Sequence, residues 1–234
     1  MLDAKKLLEQ FLGSKVPGLG GSVGGKGRDA VNMAKANPWK TGALASVLLG
    51  TKTGRSLAGG ALKLGGLALI AGLGYQAYRS YKSGQAPENI PSLPELPAPP
   101  AGSAFNTDTG LSNDFALTLI KAMIAAAKAD GHIDADERAN IMQKLHVEEL
   151  GAEAEAFIAQ ELENPTDLDA LVNAARSEEQ KVELYTASRL TIEPDTRAER
   201  GYLDLLAGRL GLADGLVDHI EATVKAAKVG QLAE

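Results

Sequence analysis

Six of the ten prolines fall between Pro87 and Pro100, and neither a helix nor a central strand can run through such a stretch. Each ring fixes φ at about −65° and removes a backbone donor. Residues 85–110 therefore read as an extended, proline-rich linker joining two unlike parts. Residues 1–100 carry twelve Lys/Arg against five Asp/Glu, and residues 101–234 carry twelve against twenty-five, so +7 precedes −13. Seventeen of the 26 glycines lie before residue 85.

Beyond residue 110 Gly and Pro become sparse, and Ala, Leu and Glu recur with a helical period. Phe115, Leu119, Ala122, Met123 and Ala126 make one face of a first helix. Ile141 and Leu145 mark a second, Phe157 and Leu162 a third, and Val182, Tyr185 and Leu190 a fourth. Leu203, Leu206 and Leu210 form the next stripe, and Leu216, Ile220, Val224 and Ala227 the last. Ser177-x-x-Gln180 and Thr196-x-x-Glu199 fit capping boxes, and Gly211 fits the position just past a helix end. No run alternates with period two. The expected fold class is all-α, with residues 111–230 forming a bundle of short helices large enough for one core.

The N-terminal part reads as a membrane anchor. Residues 1–13 make a short amphipathic helix through Leu2, Leu7, Leu8, Phe11 and Leu12, with no apolar stretch or cleavage site of a signal peptide behind it. Residues 1–56 form a basic, glycine-rich region, and residues 57–75 the candidate transmembrane helix. Nineteen residues at about 1.5 Å each reach roughly 28 Å, close to the hydrocarbon thickness. Gly54, Ala58, Ala61, Gly65, Ala68 and Gly72 recur at intervals of four and three on one helical face. That pattern suits close helix contact in lipid and makes homo-oligomerisation along the stripe an expectation. Lys63 lies opposite, where a central lysine costs about 2.5–3.5 kcal/mol unless it snorkels. The flanking cations mildly favour a cytoplasmic N-terminus.

The chemistry on offer is narrow. With no cysteine and three histidines, thiolate metal sites, disulfides and cysteine nucleophiles are excluded. Gly20-Gly21-Ser22-Val23-Gly24-Gly25-Lys26 mimics a phosphate loop, but Gly27 stands where a hydroxyl should and no strand precedes it. Few aromatics accompany the basic stretch, so anionic lipid is a better polyanion for it than nucleic acid. No nucleophile and base stand together, and no enzyme activity is expected. One cluster has metal chemistry: Ala129-Asp-Gly-His-Ile-Asp-Ala-Asp-Glu-Arg138 brings Asp130, Asp134, Asp136 and Glu137 together. Gly131 is expected to break the first helix, with the four carboxylates at the entry to the second; such carboxylates can hold calcium or magnesium, though Gly131 directly follows Asp130, unlike an EF-hand loop. The competing reading is capping, with Asp134 as N-cap and Glu137 three residues on.

That motif, together with Ile192-Glu-Pro-Asp-Thr-Arg-Ala-Glu-Arg-Gly-Tyr-Leu-Asp-Leu-Leu-Ala207, resembles the TerB-like (tellurite-resistance) helical domain. The whole layout resembles the YebE-like inner-membrane proteins of bacteria, a family of unknown function. The resemblance implies two related helix-turn units whose acids are proposed metal ligands. The first unit matches at Asp130, Gly131, Ile133 and Glu137. The second departs, with Pro194-Asp195 in the turn and Glu199 as the acid that remains. The resulting expectation is a single-pass protein of the bacterial inner membrane that displays an acidic helical domain to a protein partner. The alternative is a calcium or magnesium sensor.

Overall fold

The computed structural model describes residues 2–11, 66–87, 98–107, 111–129, 131, 142 and 151–229. Among these the fold is all-helical, as the periodicity predicts. Eight helices follow in order: α1 (Ala4–Phe11), α2 (Gly66–Lys82), α3 (Asn113–Ala127), α4 (Ala152–Glu163), α5 (Leu168–Ala174), α6 (Glu178–Thr191), α7 (Arg197–Leu210) and α8 (Asp214–Val229). The five stripes that fall on described helices face the core, Phe157 at its margin. The second expected helix, at Ile141 and Leu145, lies outside the described residues.

α6 is the centre of the bundle. It touches α2, α3, α7 and α8, and every residue from Val182 to Thr191 is buried. A helix enclosed on all sides must satisfy its polar side chains internally. Ser188 and Thr191 do so by donating their hydroxyls to carbonyls one turn back, those of Leu184 (3.1 Å) and Ala187 (2.9 Å). The helix ends follow local chemistry. Ser112, Asp167, Ser177 and Thr196 each accept an amide of the first turn. Gly211, at φ 67°, closes α7 in the left-handed conformation that glycine adopts without strain.

The structure differs from the expected domain plan. Residues 66–75, the C-terminal half of the candidate span, belong to α2, and α2 packs on α6, α8 and α1. Leu67, Leu69, Ile70, Leu73 and Ala77 are buried in the same core as the C-terminal helices. Among the described residues no helix is long and apolar enough to cross a membrane. The boundary at 111 also moves, because α1 packs on α3 and α2 and buries Ala4, Leu7 and Leu8. The reason is physical: a glycine-rich apolar helix is equally suited to lipid and to the interior of a helical domain. Residues 57–65, with Gly54, Ala58, Ala61 and Gly65 of the small-residue stripe, lie outside the described residues.

The proline-rich linker is held at both ends. Phe105 is buried against Tyr75 and Tyr78 at ring-centroid distances of 5.9 and 5.6 Å. At the other end the ring of His219 on α8 sits 2.8 Å from the carbonyl oxygen of Gln85 through Nε2. The segment is therefore tied to the bundle at Gln85 and at Phe105.

Close approach on α2 occurs at Gly74, which is not on the small-residue stripe. A Cβ there would meet Val182 Cγ1 at 3.3 Å and Phe105 Cε1 at 3.4 Å, whereas one at Gly72 would meet nothing within 4 Å. Gly74→Val is expected to destabilise the domain by about 1–3 kcal/mol through overpacking. Gly72→Ala should be neutral, or stabilising by up to about 1 kcal/mol through helix propensity. Urea unfolding of the two variants checks the contrast; equal losses would contradict this packing.

Candidate functional site

The two helix-turn units can be followed from their flanks. In the first, α3 ends at Ala127 with Lys128 as its cap, and Gly131, at φ 156°, donates its amide to the Lys128 carbonyl at 3.1 Å. The break at Gly131 is where the sequence predicts it. The expected ligands Asp130, Asp134, Asp136 and Glu137 lie outside the described residues, so the structure neither brings them together nor separates them. Among the described residues no three His, Cys, Asp or Glu form a group suited to a metal ion.

What the structure places beside this turn is a cation. The Lys128 ammonium donates to the carbonyls of Glu161 (3.2 Å), Leu162 (3.3 Å) and Asn164. These are C-terminal oxygens of α4, which have no partner within their own helix. Burial lowers the Lys128 pKa, and the nearby Glu161 carboxylate offsets part of that effect.

In the second unit Glu199, the acid retained from the resemblance, serves α7 itself. Its Oε2 accepts from the Thr196 amide and hydroxyl, both at 2.9 Å, while Thr196 Oγ1 accepts from the Glu199 amide at 3.2 Å. This is a closed capping box, as Thr196-x-x-Glu199 predicts.

A buried pair of cations closes the end of α6. Arg189, 3% exposed, donates from Nη1 to the Ile192 carbonyl at 2.8 Å and pairs through Nε with Glu221 at 2.6 Å. Lys228 reaches the carbonyls of Ile192 (3.1 Å) and Arg189 (3.4 Å) and the Glu193 carboxylate (2.9 Å). Tyr185 donates to the other oxygen of Glu221 at 2.9 Å. Burial, then the Arg189 charge, lower the Lys228 pKa. Burial alone would raise that of Glu193, but its bonds to Lys228 and Arg189 prevail and lower it. Sequence reasoning passed over this cluster. The available signal was position, since Lys228 follows Val224 by four on the apolar stripe of α8 and Arg189 follows Tyr185 by four on α6.

Glu183 is the exception among these groups. It is 5% exposed at the middle of α6, with no cation among the groups that shift it. Burial, with the Glu179 carboxylate one turn earlier, pushes its carboxyl up to about 8. At neutral pH it is a protonated acid in the core.

With the geometry described, the chain can be set beside known proteins. The model of a family described as "Protein of unknown function (DUF533)" matches residues 34–224. A protein of Yersinia enterocolitica, described as an uncharacterized protein in the ampR 5′ region, is 32% identical over 110 residues, covering 47% of this chain and 79% of its own. No solved structure matches.

The folded-state value of Glu183 lies above its ordinary 4.5, so between about 4.5 and about 8 the unfolded chain ionises while the folded chain keeps its proton. Stability falls as pH rises through that window, by about 1.4 kcal/mol per unit of difference. Glu183→Gln should remove that component, and a variant falling as steeply as the parent in pH-dependent urea unfolding would refute it. Lys228→Met leaves the Ile192 carbonyl and Glu193 short of a donor and should cost on the order of 1–3 kcal/mol. Glu193→Gln, at the half-exposed rim, should cost about 0–1 kcal/mol.

Proposed function

The chain belongs to the DUF533 family of proteins of unknown function, and on that footing we propose a non-enzymatic interaction protein whose TerB-like domain offers an acidic face to a basic protein partner. The observation that carries this reading is the charge along α4 and α5. Residues 151–179 hold eight Asp/Glu and one Lys/Arg, a balance of −7. Glu153, Glu155, Glu163, Asp167 and Asp169 are exposed there. Lys121 pairs with Glu161 at 2.8 Å, Lys82 with Glu178 at 3.4 Å and Arg209 with Asp169, and the segment keeps its strongly negative balance of formal charge. Such a balance speeds encounter with an oppositely charged surface and selects among partners.

Membrane association, in this reading, belongs to residues 12–65, which carry eight Lys/Arg against one Asp. Each cation near an anionic lipid surface adds about 1 kcal/mol. A single span over 57–75 would draw Leu67, Leu69, Ile70 and Leu73 out of the core and open to water the faces of α6 and α8 that α2 covers. Binding at the surface leaves α2 in place. The resemblance to YebE-like proteins points to the bacterial inner membrane as that surface.

The acidic face is tested by a photo-crosslinking residue at Ala156, which is exposed on α4, in cells producing the full chain. A discrete crosslinked partner of basic composition is expected. It should be lost in the Glu153→Lys, Glu155→Lys variant, whose cost at the start of α4 is about 0.3–1 kcal/mol per residue. An unchanged crosslink in that variant would sink the electrostatic reading.

A further inference from the structure

We propose that α1 is an exchangeable docking helix, and that the surface it occupies between α2 and α3 also accepts α1 of a second copy of this chain. The contact is built as a recognition site. Ala4, Leu7 and Leu8 are fully buried against α3 and α2. Both ends are read by polar groups. The side chain of Asn113 accepts from the Ala4 amide at 2.9 Å and donates to the Leu2 carbonyl at 3.1 Å, so a single amide fixes where α1 begins. At the far end Glu9 accepts the Leu67 amide at 3.0 Å, in the first turn of α2. Lys5 reaches the Thr107 carbonyl at 3.3 Å. Apolar anchors with a read-out at each end set the register of a helix lying in a groove.

The connection decides who the occupant is. Residues 12–65, 54 of them, separate α1 from α2, a contour of up to about 190 Å. A folded chain of this length has a radius of gyration of only about 17 Å. The number of residues between them therefore does not confine α1 to its own domain, and every copy carries a helix whose register the groove reads. Reciprocal exchange keeps each of these contacts and closes a two-fold dimer. Docking within one chain is favoured by an effective concentration in the millimolar range or below, so exchange grows as the chain is concentrated, as on a surface.

The chain has no cysteine, so Lys5→Cys and Thr107→Cys can be placed in separate full-length chains, mixed, and treated with a short bismaleimide. The expected result is a mixed covalent dimer that increases with concentration and exceeds the two like-with-like products. An excess of a peptide of residues 1–13 should suppress it, as should Leu7→Glu in the first chain. The peptide control keeps the test valid if Leu7→Glu impairs folding. A mixed product no more abundant than the like pairs up to millimolar concentration, or one untouched by the peptide, would overturn the proposal.

Discussion

The burial of α6 on every side is the constraint from which the rest of this structure follows. A helix whose residues Val182–Thr191 all lie in the interior needs neighbours all around it, and the stretch after residue 110 supplies only some of them. The remaining side is covered by α2, from the far side of the proline-rich segment. The close packing of Gly74 on Val182, the seating of Phe105 on Tyr75 and Tyr78, and the docking of α1 all follow from that recruitment. The polar side of the same constraint is the charged closure of the α6 end. Ile192, just past the last turn, has its carbonyl held by both Arg189 and Lys228, because water cannot reach it.

Much of this was legible in the residues. Helical period identified the buried faces of α3, α6, α7 and α8, since 3.6-residue spacing leaves little choice of side. Capping chemistry located the starts of α6 and α7 and the end of α7. The placement of α2 was not legible, and the reason lies in its composition. Leu67-Ala-Leu-Ile-Ala-Gly-Leu-Gly has the same hydropathy whether its surroundings are lipid or side chains. The partner that distinguishes the two cases lies about a hundred residues away, in Glu178 and Val182. Arg189 and Lys228 were missed for a related reason. Composition marks charged residues as solvent-facing, while their stripe positions mark them as buried, and the Ile192 carbonyl that both reach is 3 residues from Arg189 but 36 from Lys228. At the candidate site the sequence predicted the turn at Gly131 and the capping role of Glu199. The acids Asp130, Asp134, Asp136 and Glu137 lie outside the described residues.

These features give the domain a division of labour. Arg189 and Lys228 are drawn into the core at the end of α6 and Lys128 onto the end of α4, while acids accumulate on the outside of α4 and α5. The N-terminal region carries the opposite sign. The adaptor role proposed above rests on this polarity, which would let one chain meet an anionic surface and a basic partner at once. Exchange of α1 would add a two-fold axis to that arrangement and duplicate both charged surfaces.

Gly66–Lys82 in this account belongs to the same helical core as α6 and α8. That placement is tested most directly by amide hydrogen exchange on the full-length chain in buffer without lipid or detergent. The account predicts that amides of Leu69–Ala77 exchange as slowly as those of Leu184–Leu190 in α6, because the two helices open together. Rapid exchange across Leu69–Ala77 with α6 still protected, and protection of α2 appearing only in detergent or lipid, would contradict it.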